Sequence, residues 1–297
     1  MKILKRAKQQ ADELHKEAQR LSELGQDDEA LLKYQEAIAK NPAKAASLYN
    51  MGLIYKYRGQ WQQSLEHNLR AHQLDPDDDA TKWNLAIAAT ALRQWDRVRR
   101  VWQQCGIPLP GGTGPIEMNL GITPIRLNPN DGGEVVWATR IDPVRARIDS
   151  VPYPESGFHY GDIVLHDGAA VGYREVDGRQ LPVFNVLEMF THSNFRTFVV
   201  TIELSDEQDL ETLESLLAGV PHEIEDWTSN VRVICKRCSE GIPHDHGDDD
   251  FPQEFELVRK LGIAAQDQAV VEKALAKLQK QTGARLLSLE ADKRYVH

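Results

Sequence analysis

The stretch Leu48-Tyr49-Asn50-Met51-Gly52-Leu53-Ile54-Tyr55 decides how the first third of this chain folds. Gly52 has small residues 34 positions to either side, Ala18 and Ala86. The same 34-residue step links Gly25 to Gly59, Pro42 to Pro76 and Pro110, and Ala37 to Ala71 and Cys105. Within each unit the apolar residues fall at helical spacing, as in Leu14, Ala18, Leu21 and then Ala30, Tyr34, Ala37, Ile38. Turn residues interrupt the pattern at Gly25–Asp28 and Gly59–Gln60. Three helical hairpins in register are expected. One hairpin cannot bury its apolar face alone, so neighbours must stack.

These residues resemble the tetratricopeptide repeat family over roughly residues 1–110. Ala18, Gly52 and Ala86 stand where the family places small residues between paired helices, and Pro42, Pro76 and Pro110 close the repeats. Ser64 and Val98 depart from the usual Ala of the second helix, and Arg93 replaces the turn Gly. The resemblance implies a right-handed superhelix with a concave groove that holds a protein or peptide partner. Carried over by position, the groove residues are His15, Gln19, Tyr49, Leu53, Tyr57, Trp83 and Ile87. Of these, Tyr49, Leu53, Tyr57, Trp83 and Ile87 form an apolar, aromatic surface suited to a hydrophobic segment. The Lys and Asn that some family members use to clamp a terminal carboxylate are missing from these places. An equally bland alternative is that the rings pack against the rest of the same chain.

Residues 106–133 hold five Pro and seven Gly and read as loop, with 111–133 as the linker. Gly111-Gly112-Thr113-Gly114 lacks the Lys-Ser/Thr ending of a phosphate-binding loop. From Glu134 the period becomes two. Short strands are expected at 134–141, 144–151, 162–166, 170–175 and 181–186, giving a small β-barrel or sandwich over 134–192. Residues 193–297 read as strand 195–204, helix 206–218, strands 231–235 and 254–263, helix 267–282 and strand 284–289. That β-α-β-β-α-β order predicts an α+β ferredoxin-like domain. The fold class expected is therefore multi-domain: an all-α superhelix, a small β-rich domain and an α+β domain.

Composition narrows the function. No run of apolar residues is long enough to span a bilayer, so no membrane is expected. Three cysteines argue against a disulfide framework and for a reducing, cytoplasmic setting. Residues 1–110 carry 17 basic and 14 acidic side chains, and the remainder carries 18 and 31. An acidic second half repels phosphate backbones and favours a basic partner; nucleic acid is not expected.

Cys235, Cys238, His244 and His246 fall within twelve residues and offer a tetrahedral donor set for structural zinc. A bare surface loop is the other reading of that segment. His159, Asp162, His166 and Asp167 form a second polar group; alternation puts Asp162, Val164 and His166 on one face. Such a face permits a metal or an acid–base pair, and equally suits the solvent side of an edge strand. Arg93, Arg97, Arg99 and Arg100 form either a phosphate-binding patch or a solvated helix face. No nucleophile motif occurs. The sequence thus points to a protein–protein adaptor, with an immunity-like or chaperone-like role as one version. A metal-dependent enzyme in the second half, with the repeats as accessory, is the alternative.

Overall fold

The computed structural model describes residues 2–131, 133–176, 178–228 and 257–292. Its contacts divide the chain into two compact units, Met1–Met118 and Asn119–His297.

The first unit contains α1 (Lys2–Glu23), α2 (Asp27–Lys40), α3 (Ala45–Tyr57), α4 (Trp61–Leu74), α5 (Asp79–Ala91) and α6 (Trp95–Gln104). They pair as three hairpins, with α2 packed on α3 and α4 on α5. Each hairpin turns in one way. Gly25, Gly59 and Arg93 take positive φ of 74°, 66° and 56°. The next residue, Gln26, Gln60 or Gln94, donates its N–H back across the turn to Leu21, Tyr55 or Ala89, each at 2.9 Å. This six-to-one bond closes the first helix and satisfies a carbonyl that would otherwise lack a partner. The same glutamine carbonyl accepts the first bond of the second helix, from Ala30, Ser64 or Val98, each at 3.0 Å.

Small residues let the paired helices touch. Ala18 and Ala86 are fully buried, and a Cβ built on Gly52 would lie 2.4 Å from the Asn68 amide nitrogen. Asn68 is itself buried and donates to the Ser64 carbonyl, while Ser64 Oγ donates to the Gly52 carbonyl. The apolar stripe of the first two hairpins then closes around Tyr34, Met51 and Ile54.

Among its described residues the second unit holds two sheets. In the first, β1 (Ile122–Arg126), β2 (Val135–Arg140), β3 (Arg145–Ile148), β4 (Ile163–Val176) and β5 (Arg179–Thr191) pair in sequence, and β1 returns in parallel onto β5. Ile125, Val136, Ile148, Val164, Phe184 and Val186 fill its interior. The tight turn before β3 is built on buried Asp142, which accepts the N–H groups of Val144 and Arg145 and pairs with the Arg145 guanidinium at 2.6 Å.

The second sheet has the order β7-β8-β6-β9, all neighbours antiparallel: β6 (Arg196–Glu203), β7 (His222–Asp226), β8 (Val258–Ala265) and β9 (Arg285–Ala291). Helices α7 (Gln208–Leu217) and α8 (Gln268–Thr282) cover one face through Leu213, Leu217, Val271, Leu275 and Leu278. On the other face Trp227 lies over Gly262, whose added Cβ would meet the indole at 2.2 Å. Trp227 packs there with Val151, Tyr153 and Ala264, joining the sheet to the loop after β3.

Three sequence expectations change. Strand β1 falls inside residues 111–133, expected as linker. Pro124 hides it, because a strand proline argues against pairing. Here Pro124 pairs only with Trp137 on β2, and backbone pairing with β5 starts at Ile125. The strands expected at 162–166 and 170–175 are one strand, β4, whose irregular register against β5 absorbs Gly168. Strand β7, with Ile224 flanked by charge, carries too little apolar signal to be seen in sequence. The strand expected at 231–235 lies outside the described residues.

Left-handed φ costs a non-glycine residue roughly 1–2 kcal/mol. Arg93→Gly gives back part of that strain in exchange for a freer unfolded chain. A net gain of up to about 1 kcal/mol in denaturant-derived stability is expected; a loss would show that Arg93 is held by contacts stronger than the strain.

Candidate functional site

A cavity of about 460 Å³ opens in the first unit, lined by Gln19, Ser22, Glu23, Asp27, Tyr34, Asn50, Leu53, Ile54 and Tyr57. Its floor comes from α2 and α3, where Tyr34 and Ile54 belong to the packed stripe and are 1% and 5% exposed. Its rim is Tyr57, 62% exposed at the end of α3. Asn50 Nδ2 donates to the Tyr34 hydroxyl at 2.9 Å. Burial pushes the Tyr34 phenol above its ordinary range, so it stays protonated and keeps its own hydrogen to donate.

The opposite wall is acidic, from Glu23 at the end of α1 and Asp27 at the start of α2. Asp27 accepts from Ser22 Oγ at 2.9 Å, and Arg58 approaches Asp27 at 3.9 Å while bonding Asp28 at 2.6 Å. Lys56 lies 4.5 Å from the Tyr57 ring centre and reaches Asn84 Oδ1 at 3.1 Å. The cavity thus offers an apolar strip of Leu53, Ile54 and Tyr57 beside two carboxylates.

The five residues expected to hold a partner have different surroundings. Leu53 and Tyr57 line this cavity; Tyr49, Trp83 and Ile87 do not. Trp83 packs edge-on against buried Trp102 at 4.7 Å between ring centres. Ile87 is 1% exposed and is a packing residue in this structure, correcting its expected place at an open surface. Helix position alone assigned it, and α5 is buried along nearly its whole length. His15, at 8% exposure, is committed to Ser47 Oγ at 2.9 Å. Sequence reading passed over Asn50, Tyr34, Glu23 and Asp27, because an apolar pattern does not mark polar lining residues.

The polar group of the second unit is interior, not the solvent side of an edge strand. Asp162 is fully buried and accepts the N–H groups of His159 and Ser193 at 2.8 and 2.7 Å. His159 Nε2 bonds Asp292 Oδ2 at 2.9 Å, tying the residue after β9 to the loop before β4. His166 is fully buried, tilted on Phe184 at 4.9 Å, with Nδ1 donating to the Asp167 carbonyl at 2.8 Å. That bond fixes the proton on Nδ1 and leaves Nε2 as a buried lone pair without a hydrogen-bond partner. Among the described residues no group of three or more His, Cys, Asp or Glu is placed to hold a metal ion. Cys235, Cys238, His244 and His246 lie outside the described residues.

Burial holds His166 down to about 4. An unfolded imidazole protonates near 6.5. Its neutral form therefore favours the fold fully above about pH 6.5, and that stability is lost as pH falls from there towards about 4. The expected loss is on the order of 3 kcal/mol. Denaturant titrations at about pH 7 and about pH 4 should show a shallower acid loss in His166→Phe; equal losses would remove His166 as the cause.

Comparison with known proteins bears on the first unit. A family model described as TPR repeat matches residues 18–56. The photosystem I assembly protein Ycf3 of Synechococcus sp. (strain WH7803) is 33% identical over 93 residues, 31% of this chain and 42% of that protein. Ycf3 of Prochlorococcus marinus is 32% identical over 99 residues, 33% of this chain and 46% of that protein. The chain thus spans less than half the length of these curated relatives, and neither name describes an enzyme. Among solved structures, the second TPR of Spaghetti (RPAP3) bound to the HSP90 peptide SRMEEVD is similar at 18% identity and a TM-score of 0.34, covering 35% of this chain and 95% of that one. Among the described residues no helix is long and apolar enough to cross a membrane. Residues 18–56 thus match a tetratricopeptide repeat, and the three hairpins of the first unit share its 34-residue register.

Proposed function

We propose that the helical unit is an adaptor that holds a segment of a protein partner in the cavity between α1, α2 and α3. The observation that carries this reading is an open cavity of about 460 Å³ with an exposed ring, Tyr57, beside Leu53. A volume of that order takes one or two side chains of a docked polypeptide. The acidic wall of Glu23 and Asp27 favours an apolar residue flanked by a basic one. The assembly role named for the matched relatives supports protein binding in general terms. The low cysteine count supports a cytoplasmic setting for this adaptor.

For the second unit we propose a small barrel over 134–192, extended by β1, and a ferredoxin-like sandwich over 193–297. The return of β1 onto β5 supports the first, and the order β7-β8-β6-β9 with two helices on one face supports the second. We also propose that Cys235, Cys238, His244 and His246 hold a structural zinc, on the strength of donor type and spacing alone.

The double change Leu53→Ala and Tyr57→Ala tests the groove. Affinity for a purified partner, first identified with the wild-type chain, should fall tenfold or more, about 1.4 kcal/mol, with the helical melt nearly unchanged. Undiminished binding would refute the groove as the docking place. Elemental analysis of untagged protein should find about one zinc per chain; metal-free, fully stable protein would end the zinc reading.

A further inference from the structure

The repeats contain a second lined cavity, distinct from the docking groove. It has a volume of about 360 Å³ and lies at the turn from α5 into α6, bounded by Arg93, Gln94, Trp95, Asp96, Arg97, Arg100 and Thr113. That lining combines three arginines with one aspartate. Arg100 Nε is anchored to the Asp96 carbonyl at 3.2 Å, and the residue is exposed. The fourth arginine builds the wall. Arg99 donates to the carbonyls of Pro110, Gly114 and Pro115 at 2.7, 3.0 and 3.2 Å, clamping the glycine-rich segment beside α6 and carrying Thr113 to the rim. Thr113 adds a hydroxyl, and Trp95 a flat apolar side.

The position of Arg93 is the sharpest clue. The first two hairpins use glycine at this turn, where φ is positive; the third uses arginine at φ 56°. Arginine at one of three equivalent turns keeps a backbone strain that glycine avoids at the other two, and such strain clusters at functional positions. Arginine forks match a phosphate better than a carboxylate, since a phosphate monoester has three terminal oxygens and a charge near −2. Arg93 and Arg100 are exposed, so the cavity is shallow. A shallow site gives a small free anion little beyond charge, whereas a carrier chain adds contacts along the rim.

We propose that Arg93, Arg97 and Arg100, with Trp95 and Thr113, form a site for a phosphate monoester carried on a polypeptide, a phosphorylated segment of a partner. This site is separate from the groove of Leu53 and Tyr57 and stands whether or not that groove binds.

The test uses the full chain and two heptapeptides of Ala and Gly, one with a central phosphoserine and one with serine. Titration calorimetry at fixed ionic strength should show the phosphorylated peptide binding at least about tenfold more tightly, with inorganic phosphate competing. Arg97→Gln with Arg100→Gln should remove that preference. Arg93→Gly should weaken the phosphopeptide about tenfold in a chain that is no less stable, which separates loss of the site from loss of the fold. Leu53→Ala with Tyr57→Ala should leave phosphopeptide binding intact, so failure of the groove and failure of this site read out differently. Equal binding of the two peptides, or a preference that survives the arginine changes, would overturn the proposal. Phenyl phosphate binding as tightly as the phosphopeptide would overturn the polypeptide carrier.

Discussion

Each helical hairpin of this chain hinges on one residue forced into left-handed backbone geometry. The six-to-one bond across that turn ends the first helix and sets where the second begins. Helix direction then brings Gly52 against Asn68 and buries Ala18 and Ala86 within the hairpin interfaces. Contact this close leaves no room for a β-carbon at Gly52, so the small residues and the turn residues enforce one another. The packed stripe of Tyr34, Met51 and Ile54, and with it the floor of the first cavity, follows from that arrangement.

The second unit rests on a different device. Its sheets are separate hydrogen-bonded systems joined by side chains: Trp227 on Val151 and Tyr153, the Glu225 carboxylate accepting the Val151 N–H at 2.9 Å, and His159 on Asp292. Buried polar groups fix the loops between strands because an unmet N–H or carboxylate inside is costly. Asp162 shows this: both oxygens accept backbone N–H groups, one from His159 nearby and one from Ser193, 31 positions along the chain. A residue chosen in sequence for possible chemistry is thereby explained as a loop clasp.

What could be read in advance was what is local. Repeat spacing, helix limits and the turn residues are set by near neighbours, and the three hairpins stand where the 34-residue step puts them. Strands β6 and β9 and helix α8 were legible for the same reason, being strongly periodic. Strand β1 was not, because Pro124 is acceptable only where the strand has a single neighbour, a fact of topology. Nor was β7, an edge strand whose sequence His222-Glu-Ile-Glu-Asp226 is mostly charge. The lining of the first cavity was legible in part. Leu53 and Tyr57 were assigned by position in the repeat, whereas Ile87, equivalent by position to Leu53, is sealed within its surroundings. Equivalent positions in a repeat share a direction on the helix but not an environment.

That difference between equivalent positions carries the functional argument. Two of the three turns are filled by the residue best suited to the backbone, and the third by one that is ill suited. Arg99, in the helix that follows, is likewise spent on the carbonyls of the segment after α6 instead of on solvent. A surface helix needs neither feature to fold. Together they shape a cationic recess at the third hairpin, while the acidic recess at the first two favours the opposite charge. One short stack of helices thus carries two recesses of opposite charge, each built by departures from the common repeat.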